Sequence, residues 1–250
     1  YTERFNNADV HIPSKKGFRY GKKDILKISE NNDGVILINP DNPSGNFISY
    51  KDVLDVLRTL KRLKKYLILD ESFLDFAEEG FESSLLNSKD IEKFDNLIII
   101  KSIGKSYGVG GLRLGVLATS NKRIINDVKS NIPIWNINSV AEFYLQIIGK
   151  YKSDYVESCK KIISRRKELF LGLKKISYIN PFPSEANYIL MEIKGISANK
   201  LSRDLCNNFG ILVKDCSGKK SFADNNCIRV AVRDSRDNEY LLNCLQYLEQ

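Results

Sequence analysis

Four short apolar runs, each bounded by a polar turn cluster and separated by segments of helical periodicity, constrain this chain more than any other feature. Val35-Ile36-Leu37-Ile38 leads into Asn39-Pro40-Asp41-Asn42-Pro43-Ser44-Gly45, and Tyr66-Leu67-Ile68-Leu69 ends in Asp70-Glu71. Leu97-Ile98-Ile99-Ile100 ends in Lys101-Ser102-Ile103-Gly104-Lys105, while Gly110-Gly111-Leu112-Arg113 opens the run Leu114 to Ala118. After the first cluster, Ser49 reads as the N-cap of a helix carrying Val53, Leu54, Val56, Leu57, Leu60 and Leu63 at helical spacing. Apolar runs without alternation predict buried strands. Strands that alternate with helices predict an α/β fold around a largely parallel sheet.

Beyond Pro133 the pattern changes. A long helical stretch is expected from Ser139 to Leu173, then a strand from Tyr188 to Glu192 and a helix from Ala198 to Phe209. Strands at Ile211–Lys214 and Ile228–Val232 and a closing helix follow. This predicts a large domain over residues 1–150 and a smaller α+β domain over 151–250. Five cysteines with no CxxC pair argue against a disulfide framework or a zinc site, and for a reducing, cytoplasmic setting. One histidine, His11, leaves little material for metal chemistry, so no metal is expected. The formal net charge of +8 is spread over amphipathic segments and accompanies no recognition motif, so no nucleic-acid partner is expected. No apolar run is long enough to cross a membrane.

In doubly wound α/β proteins ligands gather at the carboxyl ends of strands. The four polar clusters lie at such ends or just before the next strand. Their succession, Asn-Pro-Ser-Gly, Asp-Glu-Ser-Phe, Ser-x-x-Lys and Gly-Leu-Arg-Leu-Gly, resembles the fold-type I, class I/II aminotransferases. Within them it is most similar to the branch of histidinol-phosphate aminotransferase and threonine-phosphate decarboxylase. The resemblance implies a pyridoxal 5'-phosphate cofactor held by Lys105 through a Schiff base. It implies that Asp70 pairs with the pyridine nitrogen, that Asn42 bonds the ring hydroxyl oxygen, and that Ser102 and Arg113 grip the phosphate. A forked, permanently charged guanidinium suits that anion. Arg229 matches the arginine that grips the substrate carboxylate, and Asn187 a residue near it. The family also implies a homodimer acting on a small amino-acid substrate.

Several features depart from the family pattern. Phe73 stands where many members carry a tyrosine, and Gly104 where a hydroxyl residue often precedes the lysine. Trp135 and the stretch Arg229-Val230-Ala231-Val232-Arg233 look more like the decarboxylase branch. Arg233 lies four residues from Arg229, so on a continuous strand both would share one face and could meet a doubly anionic substrate. The family's Gly-rich phosphate turn has no counterpart ahead of Asn42, which leads us to expect a piece of a longer polypeptide. The first reading is transamination of an amino acid or phosphorylated amino acid. Decarboxylation of an O-phospho amino acid follows closely, and a non-catalytic cofactor-binding relative comes third.

Overall fold

The apolar runs form strands because their leucines and β-branched residues find a helix-covered face on which to pack. The computed structural model describes residues 10–11, 17–218 and 226–249. Helix α1 (Lys22–Ser29) precedes β1 (Gly34–Ile38), α2 (Tyr50–Arg62), β2 (Tyr66–Asp70), α3 (Ser88–Lys93) and β3 (Leu97–Ser102). Then come the short α4 (Ile103–Ser106), β4 (Gly115–Ala118), α5 (Lys122–Asn131), α6 (Ser139–Ile147) and α7 (Lys152–Leu173). The remaining elements are β5 (Ile179–Pro181), β6 (Tyr188–Ile193), α8 (Ala198–Phe209), β7 (Lys214–Asp215), β8 (Cys227–Ala231) and α9 (Ser235–Tyr247).

Two sheets result, in the orders β1-β2-β3-β4 and β5-β6-β8-β7. The first is parallel through β3, and β4 runs antiparallel to it. Val35, Leu37, Leu67, Leu69, Leu97 and Ile99 pack against Val56, Leu57 and Leu60 of α2 and Ile25 of α1. Each such fully buried side chain contributes about 1.5–3 kcal/mol. The Ser49 side chain accepts from the Asp52 N–H, as its N-cap reading requires. Burial in β1 is one-sided, however, since Ile36 is 54% exposed. The second sheet, wholly antiparallel, forms a separate core with α7, α8 and α9.

Three expectations change. The helical stretch from Ser139 is broken by a 3-10 turn at Ile148–Tyr151 around Gly149, where glycine costs about 1 kcal/mol of helix propensity. The strand expected at Ile211–Lys214 shrinks to Lys214–Asp215, because the Ile211 N–H turns back to the Leu205 carbonyl at the end of α8. β8 stops at Ala231, and the Asp234 side chain caps α9 three residues later. Among the described residues no helix is long and apolar enough to cross a membrane.

Candidate active site

Asp70 ends β2, and its Oδ1 accepts the Ser72 N–H at 2.9 Å. The Ser72 hydroxyl in turn accepts the Ser102 N–H at 2.9 Å. Ser72 thereby ties the acid at one strand end to the N-cap of α4 at the next. The Ser102 side chain makes no capping bond of its own, which leaves its hydroxyl for another partner. Lys105 lies on α4 with its Nζ 4.2 Å from the centroid of the Phe73 ring, a cation–π contact of about 0.5–2 kcal/mol. The lysine side chain is exposed.

Phe73 meets Tyr188 edge to face, centroids 5.1 Å apart. Tyr188 carries the Arg229 guanidinium over its ring at 4.9 Å and donates its hydroxyl to the Asp41 carbonyl at 2.7 Å. Burial above all, then the charge of Asp41, pushes the Tyr188 phenol well above its usual range, so it remains a donor. Arg229 then donates to Asn42 Oδ1 at 2.6 Å. One run of contacts therefore joins Lys105, Phe73, Tyr188, Arg229 and Asn42 across both sheets. Asn187, half-buried beside Tyr188, accepts the Val232 N–H on its carbonyl.

Two expected residues stand apart both from this run and from the Asp70–Ser72–Ser102 bonds. Arg113 is exposed in the left-handed region (φ 58°), and its Nη1 donates to the Gly110 carbonyl at 3.4 Å. Arg233 lies beyond the end of β8, and its Nε pairs with Asp237 on α9. The alternate-residue argument needed a strand running to 233, and the cap of α9 ends it earlier. The structure does not bring Arg233 to the Asn42–Arg229 pair. Sequence reasoning also missed Ser72 and Tyr188, although a hydroxyl after Asp-Glu and an aromatic after Asn187 are visible in the motifs.

Gly104 has a packing reason for lacking a hydroxyl side chain. A Cβ there would lie 3.0 Å from the Gly110 Cα, so α4 needs a bare backbone at that contact. Gly45 is more constrained, with φ +73° and a Cβ position 2.0 Å from the Ser184 Oγ and 2.9 Å from its Cα. Its carbonyl accepts the Glu185 N–H at 2.9 Å, which joins the Asn42 turn to the Ser184–Asn187 turn. Gly45→Ala combines left-handed strain with a backbone clash, so it is expected to cost about 3 kcal/mol and lower Tm by roughly 6–12 °C. Thermal unfolding checks this, and an unchanged Tm would mean that the two turns separate freely.

The donor set fits pyridoxal 5'-phosphate. It offers a carboxylate at a strand end, an accessible amine, an amide beside an arginine, and an uncommitted serine hydroxyl with an exposed arginine for an anion. Comparison with known proteins agrees. The chain is 32% identical to an L-serine phosphate decarboxylase of Campylobacter jejuni over 221 residues, covering 87% of this chain and 56% of that protein. A solved decarboxylase from Sulfurospirillum multivorans superposes with a TM-score of 0.85 at 26% identity, over 96% of this chain and 69% of that one. The histidinol-phosphate aminotransferase of Clostridium acetobutylicum gives 0.84 at 30% identity, over 94% and 69%. Among the curated relatives it matches, the chain spans from 27% to 66% of their length. The sequence model described as aminotransferase class I and II matches residues 10–245, and the chain belongs to that pyridoxal 5'-phosphate-dependent family.

Proposed function

We propose that the protein acts at the α-carbon of an O-phospho amino acid, with loss of the carboxyl group as the favoured course. The run of contacts from Lys105 through Phe73 and Tyr188 to Arg229 supports this reading, because it puts an amine and a guanidinium on one path. The sequence motifs alone put transamination first. Similarity to an L-serine phosphate decarboxylase and to a solved decarboxylase supports the reverse order.

In the proposed roles Asp70 keeps a proton on the ring nitrogen of the cofactor, and Asn42 bonds the ring oxygen. Ser102 and Arg113 hold its phosphate. When bound, the cofactor supplies an electron sink for the pair left at the substrate α-carbon. Lys105 Nζ would hold the cofactor through its aldehyde carbon, and as a free amine it would carry a proton to the substrate α-carbon. Arg229 grips the carboxylate, with Asn187 nearby, and its stacking on Tyr188 fixes the plane of the fork. In decarboxylation the bond from the α-carbon to the carboxyl carbon breaks, carbon dioxide leaves, and the proton from Lys105 takes its place. The exposed side chains Ile134, Trp135, Val140 and Phe143 support a homodimer.

Product analysis by mass spectrometry separates the two reactions. The cofactor-loaded protein is offered O-phosphoserine, O-phosphothreonine, histidinol phosphate and common amino acids with 2-oxoglutarate present. The expected outcome is an amine lacking the carboxyl group, with no glutamate. An oxo product with glutamate would instead establish transamination, the reading favoured by the histidinol-phosphate aminotransferase match. Absence of turnover with every compound would sink both.

A further inference from the structure

Behind Lys105 lies a polar cluster that the proposed reaction does not use. α4 has only four residues, too few to hold a helix without outside support. At its start the Ser102 N–H is held by Ser72, and at its C-cap Tyr107 stacks face to face on Tyr155 of α7. Those ring centroids are 3.8 Å apart and the planes differ by 4°. The Tyr155 hydroxyl donates to Asp75 Oδ2 at 2.6 Å, and the Lys101 ammonium donates to Asp75 Oδ1 at 2.7 Å. Asp75 is 3% exposed, so both bonds are shielded from water. A cavity of about 340 Å³ opens beside Asp75, Lys101, Tyr107 and Tyr155.

The Ser106 hydroxyl, next to Lys105, is buried with no hydrogen-bond partner, and its dipole reaches the Tyr155 phenol. Burial first, then the charge and hydrogen bond of Asp75, raise that phenol far above its ordinary value. Tyr155 therefore stays a neutral donor to Asp75 and can accept from Ser106. Asp75, in the turn after β2, binds both the phenol and the end of β3, while Tyr107 at the cap of the lysine-bearing helix stacks on the phenol ring.

We propose that Tyr155, anchored by Asp75, is a positioning residue that fixes α4 so that the Lys105 amine stays over the Phe73 ring. This rests on Lys105 as the cofactor-binding lysine. Tyr155→Phe keeps the stack on Tyr107 and removes only the hydroxyl. Two quantities are measured: the rate of covalent capture of pyridoxal 5'-phosphate, with the adduct located by mass spectrometry, and the Kd for pyridoxamine 5'-phosphate. The second compound carries an amine in place of the aldehyde and cannot bond to the lysine.

In Tyr155→Phe, capture is expected to slow by about 10-fold, because a small misplacement of a reacting group is costly. Affinity for pyridoxamine 5'-phosphate should stay within about twofold, since Ser102, its grip at the start of α4, is held by Ser72 and not by Tyr155. Ser106→Ala should slow capture in the same direction by a smaller factor, and it decides the matter if Tyr155→Phe does not fold. Wild-type capture rates in these variants would overturn the inference while leaving Lys105 in its role. Equal losses of capture and pyridoxamine 5'-phosphate affinity would also overturn it, since they mean general collapse of the pocket. An adduct on a lysine other than Lys105 in the wild type would remove the underlying assignment as well.

Discussion

In Lys105→Ala protein, borohydride reduction in the presence of pyridoxal 5'-phosphate is expected to fix no mass at residue 105, and turnover is expected to fall about 1,000-fold or more. The size of the effect follows from the two tasks proposed for this amine, covalent attachment and proton transfer. The neighbouring Lys101 cannot substitute, because Asp75 holds its ammonium at 2.7 Å and it is only 13% exposed. Lys105→Arg separates charge from nucleophilicity. It keeps a cation over Phe73, yet a guanidinium does not deprotonate in proteins, so the loss should be equally severe. Peptide mapping of the reduced protein checks both variants. A stable adduct retained in Lys105→Ala would defeat the assignment.

Arg166→Met is expected to cost about 3 kcal/mol of stability, seen as a fall in Tm of roughly 6–12 °C. Arg166 on α7 is 3% exposed and bonds the carbonyls of Phe76 and Ala186 as well as the Glu185 carboxylate at 2.9 Å. Burial pulls its pKa down, while Glu185 and Glu78 act to keep it charged. Removing it strands two carbonyls and an acid that are held in place now. Glu185 is 30% exposed and also accepts the Glu78 N–H, so the cost stays below that of a fully buried broken pair. Glu185→Gln should cost less, since an amide still accepts from both donors. A Tm shift under about 2 °C for Arg166→Met would show that other contacts hold the Ser184–Asn187 turn.

The first sheet was legible because its strands are uninterrupted apolar runs and its helices repeat at 3.6. The direction of β4 was not legible, since strand polarity leaves no mark in composition. The four turn clusters were also legible, and their order at strand ends carried the family resemblance. Partners distant in sequence were hidden. Tyr155 meets Asp75 across 80 residues, and no local pattern anticipates that. Phe73 was read as a missing phenol, whereas the structure uses its ring as a platform for an ammonium. The parity argument for Arg233 failed because β8 ends at Ala231, ahead of the cap of α9.

The bond between Arg229 and Asn42 spans 187 residues and joins a proposed anion grip to a proposed cofactor contact. Two ligands that draw on the same pair are thermodynamically linked. Whatever factor the cofactor imposes on the dissociation constant of a substrate anion, the anion must impose on the cofactor in return. Couplings of this kind are commonly about 1–3 kcal/mol. A simple carboxylate such as acetate, added without any reactive amine, should therefore alter cofactor retention through Arg229. Arg229→Lys, which cannot offer the same fork to Asn42 and an anion together, should uncouple them.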